Sequence, residues 1–440
     1  MLVEFTVGNY RSFREPQTLN MEATSLKSAP KYSALDENVI FDEGKLKLLS
    51  SAAIYGANAS GKSNFVRAWK FFQKQVSDSA RESQVGDTIN VEPFAFSQVE
   101  RQKPSFFEIV FVNDNRRYRY GFEADSWHIH REWLFRYDRT EVNLFFREGE
   151  EIKINRNSFK EGYGLESRVR ENALFLSVVA QFNGEIATSI LTWLNNAKVV
   201  SGLEDRDYKS FTLLLMQYSK TFGSQISNFI GSLDVNIRNL GLADHGQLSL
   251  FDIEPDLNVE NVRSSGQRAQ ETIKTTHTIY NAANSEAGTV EFDIAQESAG
   301  TQKMIYFAGL LLLSLEQGMV LFVDELDARL HPLMTCEIIK LFNDKKTNPN
   351  GAQLIFTTHD TNLLANHLFR RDQIWFVEKD DFQASFLYSL AEFVDEEGNK
   401  VRNDASLERD YISGRFGAIP FIGDLKKIVG EAVEVVKEKV

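Results

Sequence analysis

A chain of 440 residues exceeds one average domain, so one or two cores plus a sizeable insertion are expected. With 42% apolar and 25% charged residues and only eight prolines, the composition excludes a chain dominated by disordered linkers. The formal charge of −13 excludes an overall basic footprint, so any nucleic-acid contact needs a local patch.

The opening Met1-Leu2-Val3-Glu4-Phe5 has no basic start followed by an apolar stretch and does not read as a secretory signal. It alternates apolar and polar residues and then turns at Gly8-Asn9 before Tyr10-Arg11-Ser12-Phe13, the pattern of a hairpin. Ser51-Ala52-Ala53-Ile54-Tyr55 reads as a strand, followed by a glycine-bounded loop and a helical pattern from Ser63 to about Val76. Aromatic and β-branched enrichment from Pro104 to Trp133 predicts an antiparallel meander. Between about Leu165 and Leu242 the period turns helical without sustained heptads, which predicts an inserted helical region with at most a short arm. A polar stretch from about Gly246 to Glu286 is expected to be a mobile connector back to the core. After Glu297 helices and apolar strands alternate to about Phe376, the rhythm of a parallel sheet. The most apolar run, Met304 to Leu315, is far shorter than a membrane span, and the lone Cys336 excludes an internal disulfide framework. A cytoplasmic location is the expectation.

The loop after the first apolar strand carries the chemistry. Gly56-Ala57-Asn58-Ala59-Ser60-Gly61-Lys62-Ser63 is a complete P-loop, G-x-x-x-x-G-K-S, between a strand and a helix. Its glycines allow a tight turn, so that backbone amides and the helix N-terminus face phosphates. Lys62 is expected to add positive charge at the β/γ-phosphates, Ser63 to ligate Mg²⁺, and Gly56, Asn58, Ser60, Gly61 and Asn64 to line the nucleotide. Met319 to Val323 reads as a buried strand with Asp324 and Glu325 at its C-terminal edge, where ligands of open parallel sheets sit. Asp324 is assigned to the metal and Glu325 to polarising the attacking water. Absence of an N-K-x-D guanine motif favours ATP.

Three further segments narrow the class. Glu297-Ser298-Ala299-Gly300-Thr301-Gln302-Lys303, one helix ahead of Asp324, resembles the ABC signature S-x-G-x-Q, with Ala299 where glycine is commonest. The resemblance implies that Ser298, Gly300 and Gln302 meet the γ-phosphate held by an opposite subunit. Leu326-Asp327-Ala328 resembles the D-loop, and Leu354 to His359 is a strand ending in the switch histidine, expected at the γ-phosphate. Phe5, Asn9 and Tyr10-Arg11-Ser12-Phe13 resemble the start of RecF-like and SMC-like ATPases, in which Arg11 would reach the nucleotide; a plain surface arginine is the other reading. Gln98 lies at a plausible distance for the Q-loop but in a turn-like context, and carries no assignment.

Together these predict an α/β fold of the ABC/SMC-type P-loop ATPase head, a mixed sheet with helices plus an antiparallel β subdomain and an inserted helical region. The expected divisions are 1–164 for the first part of the head, 165–290 for the insertion and connector, and 291–440 for the second part. Pro104–Trp133, Arg370 to Lys379 and Arg415 to Pro420 resemble the bacterial RloA/abortive-infection ATPases across essentially the whole chain. That resemblance implies OLD-like architecture, an antiphage role and a separate nuclease or effector partner, while the P-loop and the ABC/SMC-like motifs predict ATP and Mg²⁺ as cofactors and an ATP-bound homodimer or larger even-numbered oligomer. A RecF/SMC-like DNA-repair ATPase is the alternative.

The sole Asp-x-Asp, Asp205-Arg206-Asp207, has no apolar strand before it, so the metal site of a fused nuclease is not expected here. His128 and His130 lack a third ligand and read as surface or packing residues. A transporter subunit fits poorly with the long separation of Ser63 from Ser298, and a small-molecule kinase has no use for a signature segment.

Overall fold

The computed structural model describes residues 1–420 apart from 44–45, 83, 85, 205, 234–235, 243–272, 366, 396 and 403–404. The strands are β1 (Leu2–Gly8), β2 (Gln17–Asn20), β3 (Ile40–Glu43), β4 (Leu46–Leu49), β5 (Ser51–Tyr55), β6 (Ser105–Asn113), β7 (Arg116–Ala124), β8 (Ile129–Tyr137), β9 (Glu141–Glu148), β10 (Glu151–Ile154), β11 (Lys198–Ser201), β12 (Asn239–Leu242), β13 (Ile273–Tyr280), β14 (Glu286–Asp293), β15 (Val320–Asp324), β16 (Gln353–Thr357), β17 (Ile374–Lys379) and β18 (Ser385–Ser389). The helices that matter below are α1 (Ser33–Asn38), α2 (Lys62–Glu82), α3 (Phe175–Gln181), α4 (Glu185–Asn196), α5 (Arg206–Tyr218), α6 (Lys220–Gly231), α7 (Ala299–Gln317) and α8 (Pro332–Phe342).

Two sheets face each other across α2. One is antiparallel, in the order β10-β9-β8-β7-β6-β1-β2. The other runs β11-β15-β16-β5-β17-β18, parallel throughout except for the edge strand β18. β5 lies in the middle with all five residues buried, as a strand covered on both faces must be. The apolar residues of α2 recur at Phe65, Trp69, Phe72 and Val76, a helical stripe wide enough to serve both sheets. Trp69 stacks on Phe322 of β15 at 4.5 Å and meets Phe5 of β1 edge-on at 5.1 Å, while Phe72 stacks on Phe122 of β7 at 5.6 Å.

The opposite face of the parallel sheet is covered by α7, α8, α5 and α6 in a second core containing Ala53, Tyr55, Leu321, Leu354 and Phe356. Here α7 is the central helix, buried almost all round from Lys303 to Leu315, which explains the apolar run in the sequence. Ser298 caps its start by accepting from Thr301 N at 3.1 Å. Gly318 ends it in the left-handed conformation with φ 65°, and a Cβ there would lie 2.3 Å from the Asn350 carbonyl.

The region expected to be a helical insertion is woven into this frame. α3 and α4 pack beside α2, whereas α5 and α6 cover α7. Between the two pairs, β11 joins the parallel sheet next to β15, a strand that the helical period concealed because only Val199 and Val200 carry its β-branched signal. The expected mobile connector also differs: its last part forms β13, which pairs antiparallel with β14 and with β12. The β-branched residues Ile273, Thr275, Thr276, Thr278 and Ile279 supply the strand propensity that overall polarity masked. The remainder, 243–272, and the side chains of 205–207 lie outside the described residues. Among the described residues no helix is long and apolar enough to cross a membrane.

Candidate nucleotide site

The C-terminal ends of β5, β15 and β16 bring Gly56–Ser63, Asp324–Glu325 and Thr357–His359 to one edge of the parallel sheet. That is where an open α/β sheet places its ligand. Gly56 fits against β17 so closely that a Cβ would lie 2.4 Å from the Val377 carbonyl. Lys62, 5% exposed, donates to the carbonyls of Gly56 at 2.7 Å and Ala57 at 3.1 Å. Burial lowers its pKa from 10.5 to about 8, against the opposing pull of Asp324, Glu325 and Asp327. Asn58 is exposed at the crest of the loop and Ser60 is buried, with an unpartnered hydroxyl.

Ser63 Oγ donates to Asp324 Oδ1 at 3.1 Å, so the helix start and the strand end are in direct contact. Thr357 locks the pair: its hydroxyl donates to Asp324 Oδ1 at 2.7 Å and accepts from Glu325 N at 2.7 Å. Glu325 sits in the left-handed region with φ 57°. Its carbonyl lies against Gly202, just beyond β11, where a Cβ would come within 1.8 Å. A carboxylate and a hydroxyl oxygen at this spacing are hard donors of the type Mg²⁺ takes, and Asp327 adds a buried carboxylate oxygen, Oδ1, without a hydrogen-bond partner. His359 stands at the solvent-facing rim. Its partial burial and the Lys62 charge lower its pKa, against Asp327, Glu325 and Asp324.

The back of the P-loop is held by two serines from distant segments. Ser12, in the turn after β1, accepts from Asn64 Nδ2 at 2.9 Å, and its carbonyl accepts from Ser385 N at 2.7 Å. Ser385 Oγ donates to the Ser60 carbonyl at 2.6 Å. A Cβ on Gly61 would lie 2.4 Å from Ser385 Oγ and 2.8 Å from Ser12 Oγ, so only glycine fits between them. Arg11 itself turns away to an ion pair with Glu92 at 2.5 Å, and Asn64 spends its amide on Ser12. Asn9 is buried and ties down the 94–104 loop, accepting from Phe94 N and donating to the carbonyls of Glu100, Lys103 and Pro104. Gln98 is an exposed turn residue.

The signature segment lies on the same side chain network but at the surface. Ser298 and Ala299 are exposed, and Gln302 folds back to the Glu297 carbonyl at 2.9 Å. Gly300 packs on the D-loop, where a Cβ would lie 2.9 Å from the Arg329 carbonyl. Lys303, one turn on, is buried and donates to the carbonyls of Leu326 at 3.0 Å and Ala328 at 2.5 Å. Its burial lowers its pKa to about 8, while Asp327 opposes the shift. The anticipated residues thus fall into two groups, the P-loop with Asp324, Glu325, Asp327 and His359, and the Ser298–Gln302 turn joined to them through the D-loop. Thr357 and Lys303 were within segments already marked by motif, whereas Gly202 and Ser385 carry no local signal.

The remaining histidine cluster is a surface network: His130 Nε2 lies 2.7 Å from Asp125 and His128 Nε2 3.5 Å from Glu171. Among the described residues no group of three or more His, Cys, Asp or Glu side chains is arranged to hold a metal ion.

No curated protein sequence matches the chain significantly. Among solved structures, the SMC head domain from Thermotoga maritima is similar, with 13% identity and a TM-score of 0.37 over 88% of this chain and 98% of that one. A second, an SmcHead bound to the C-winged helix domain of ScpA, has 15% identity and a TM-score of 0.44 over 88% and 97%. The family model for an AAA domain described as a putative AbiEii toxin of a type IV toxin–antitoxin system matches residues 51–365, from β5 through the P-loop, signature and switch histidine. The chain therefore belongs to that AAA-domain family.

Proposed function

We propose that the protein binds and hydrolyses ATP and that two copies meet face to face to complete each site. The observation that carries the reading is the joined pair of surfaces: a phosphate cradle closed by the Ser63–Asp324–Thr357 chain, and an exposed helix N-terminus at Ser298 fixed to the same D-loop. The amides of 56–63 and the α2 N-terminus favour the phosphates, and Lys62 adds its charge. Ser63 and Asp324 would hold Mg²⁺, which when bound offsets charge on the β- and γ-phosphates. Glu325 orients a water and accepts its proton as the water oxygen bonds to the γ-phosphorus and the bond from that phosphorus to the bridging oxygen breaks, giving ADP and phosphate. His359 contacts the γ-phosphate, and Asp327 shapes the facing surface. Ser298, Gly300 and Gln302 of the second copy present amides and a helix dipole to the same phosphate, so ATP touches both copies only in the closed state.

The likeness of 104–133, 370–379 and 415–420 to RloA/abortive-infection ATPases supports a role as a switch in antiphage defence, with a separate nuclease or effector as partner. In the fold these segments build the core: Arg370 is buried between Asp36 and Asp372, and Phe416 packs on Phe376 at 5.8 Å.

The test is the mass of Glu325→Gln in solution. Removing the carboxylate that accepts the proton should trap the ATP-bound dimer, so mass should double with ATP and Mg²⁺ and not with ADP. A variant that stays monomeric while saturated with ATP would refute the composite site.

A further inference from the structure

The turn that carries Ser298 is fastened at both ends. On its far side Lys303 holds the D-loop; on its near side stands Glu297, a residue with no motif role. Glu297 Oε1 accepts from Thr275 Oγ1 at 2.5 Å and lies 2.8 Å from His277 Nε2, both on β13. These groups are largely shielded, with Glu297 12% and His277 18% exposed, and Phe292 of β14 packs on the His277 ring at 5.1 Å. The Glu297 carbonyl in turn receives Gln302 Nε2. The outer end of the hairpin is different in kind: Ile279 and Tyr280 are 43% and 61% exposed.

We infer that Glu297 is a positioning residue that straps the Ser298 turn to the β13–β14 hairpin, so that the hairpin governs whether the composite ATP site can close. A paired two-strand element is stiff along its length, and a charge-assisted hydrogen bond at its root passes on a displacement of the root. The carboxylate touches no phosphate; it acts only through the serine that follows it. This rests on the face-to-face reading above. It adds an input to that site from an element that lies outside it.

The experiment uses the full-length chain carrying Glu325→Gln, with ATP-dependent dimerisation followed by sedimentation and ATP binding to the monomer by a fluorescent ATP analogue. Thr275→Val combined with His277→Phe alters only the hairpin, and Glu297→Ala only the strap. Both should weaken dimerisation about ten- to hundred-fold, the range for losing hydrogen bonds to a buried charge, with analogue affinity unchanged within about twofold. Glu297→Gln, which keeps an acceptor for Thr275, should recover most of the loss. Wild-type dimerisation in the hairpin variant overturns the inference alone. So does a parallel fall in melting temperature, analogue binding and dimerisation, which marks a general packing defect. A Glu325→Gln parent that never dimerises overturns the face-to-face reading and this inference with it.

Discussion

The two halves of the proposed nucleotide site are built on opposite plans. Around the P-loop, side chains from five segments spend their hydrogen bonds on one another: Lys62 on its own loop, Thr357 on Asp324 and Glu325, Ser385 on Ser60, Asn64 on Ser12. The signature half keeps its supports behind it, at Glu297 and Lys303, and leaves Ser298 and Ala299 to solvent. A cradle braced by several segments in this way would hold phosphate without help from a second copy. A helix N-terminus braced only from behind is shaped to be offered to another molecule.

That contrast can be broken most directly by comparing one substitution in each half. Lys62→Ala should abolish ATP binding to the monomer and reduce phosphate release by about a thousandfold, the scale of losing a fixed charge at the reacting phosphate. Ser298→Arg should reduce turnover comparably by blocking closure, yet leave monomer binding intact in a calorimetric titration. Equal loss of monomer binding in both variants would erase the distinction between the halves.

A pH series sharpens the same point from the P-loop side. Lys62 is charged below about 8 and neutral above it, and only the ammonium attracts phosphate. ATP affinity should therefore weaken roughly tenfold for each pH unit above that value, with proton uptake on binding visible as a buffer-dependent heat. The sign for stability is the reverse. The folded chain binds fewer protons at Lys62 than the unfolded chain between about 8 and 10.5, so the penalty this group places on folding is largest below that window and shrinks as pH rises through it. Affinity that is flat from pH 7 to 9.5 would count against Lys62 as the phosphate cation.

The smallest effect is expected at the brace. Ser385→Ala removes one hydrogen bond to the Ser60 carbonyl and should raise the KM for ATP by about two- to tenfold with kcat nearly unchanged. A fall in kcat alone would mean that Ser385 acts on chemistry rather than on the shape of the loop.

What the sequence made legible follows from how local each signal is. The P-loop, the strand ending at Asp324 and the strand before His359 are contiguous patterns, and the structure places them at one sheet edge as their strand–loop order implies. The antiparallel meander from Pro104 was equally plain, because its aromatics alternate. β11 was hidden because four residues between helices carry too short a period to register. Gly202 and Ser385 were invisible for another reason: each matters only through a neighbour more than a hundred residues away, Glu325 in one case and Ser60 in the other. Arg11 shows the converse, a motif residue whose side chain is committed to Glu92 while its unassuming neighbour Ser12 reaches the P-loop.

The left-handed backbone at Glu325 carries a cost that falls on the whole molecule. A residue with a Cβ is strained there by roughly 1–2 kcal/mol, and glycine is not. Glu325→Gly should accordingly raise the melting temperature, by the equivalent of about 1 kcal/mol, while ending phosphate release. A lower melting temperature would show that the carboxylate adds more to folding than its backbone takes away. If Glu325 carries the proposed hydrolysis, durability and turnover would be traded against each other at a single position, and a search for hardier variants that ignores activity would be drawn to discard this side chain.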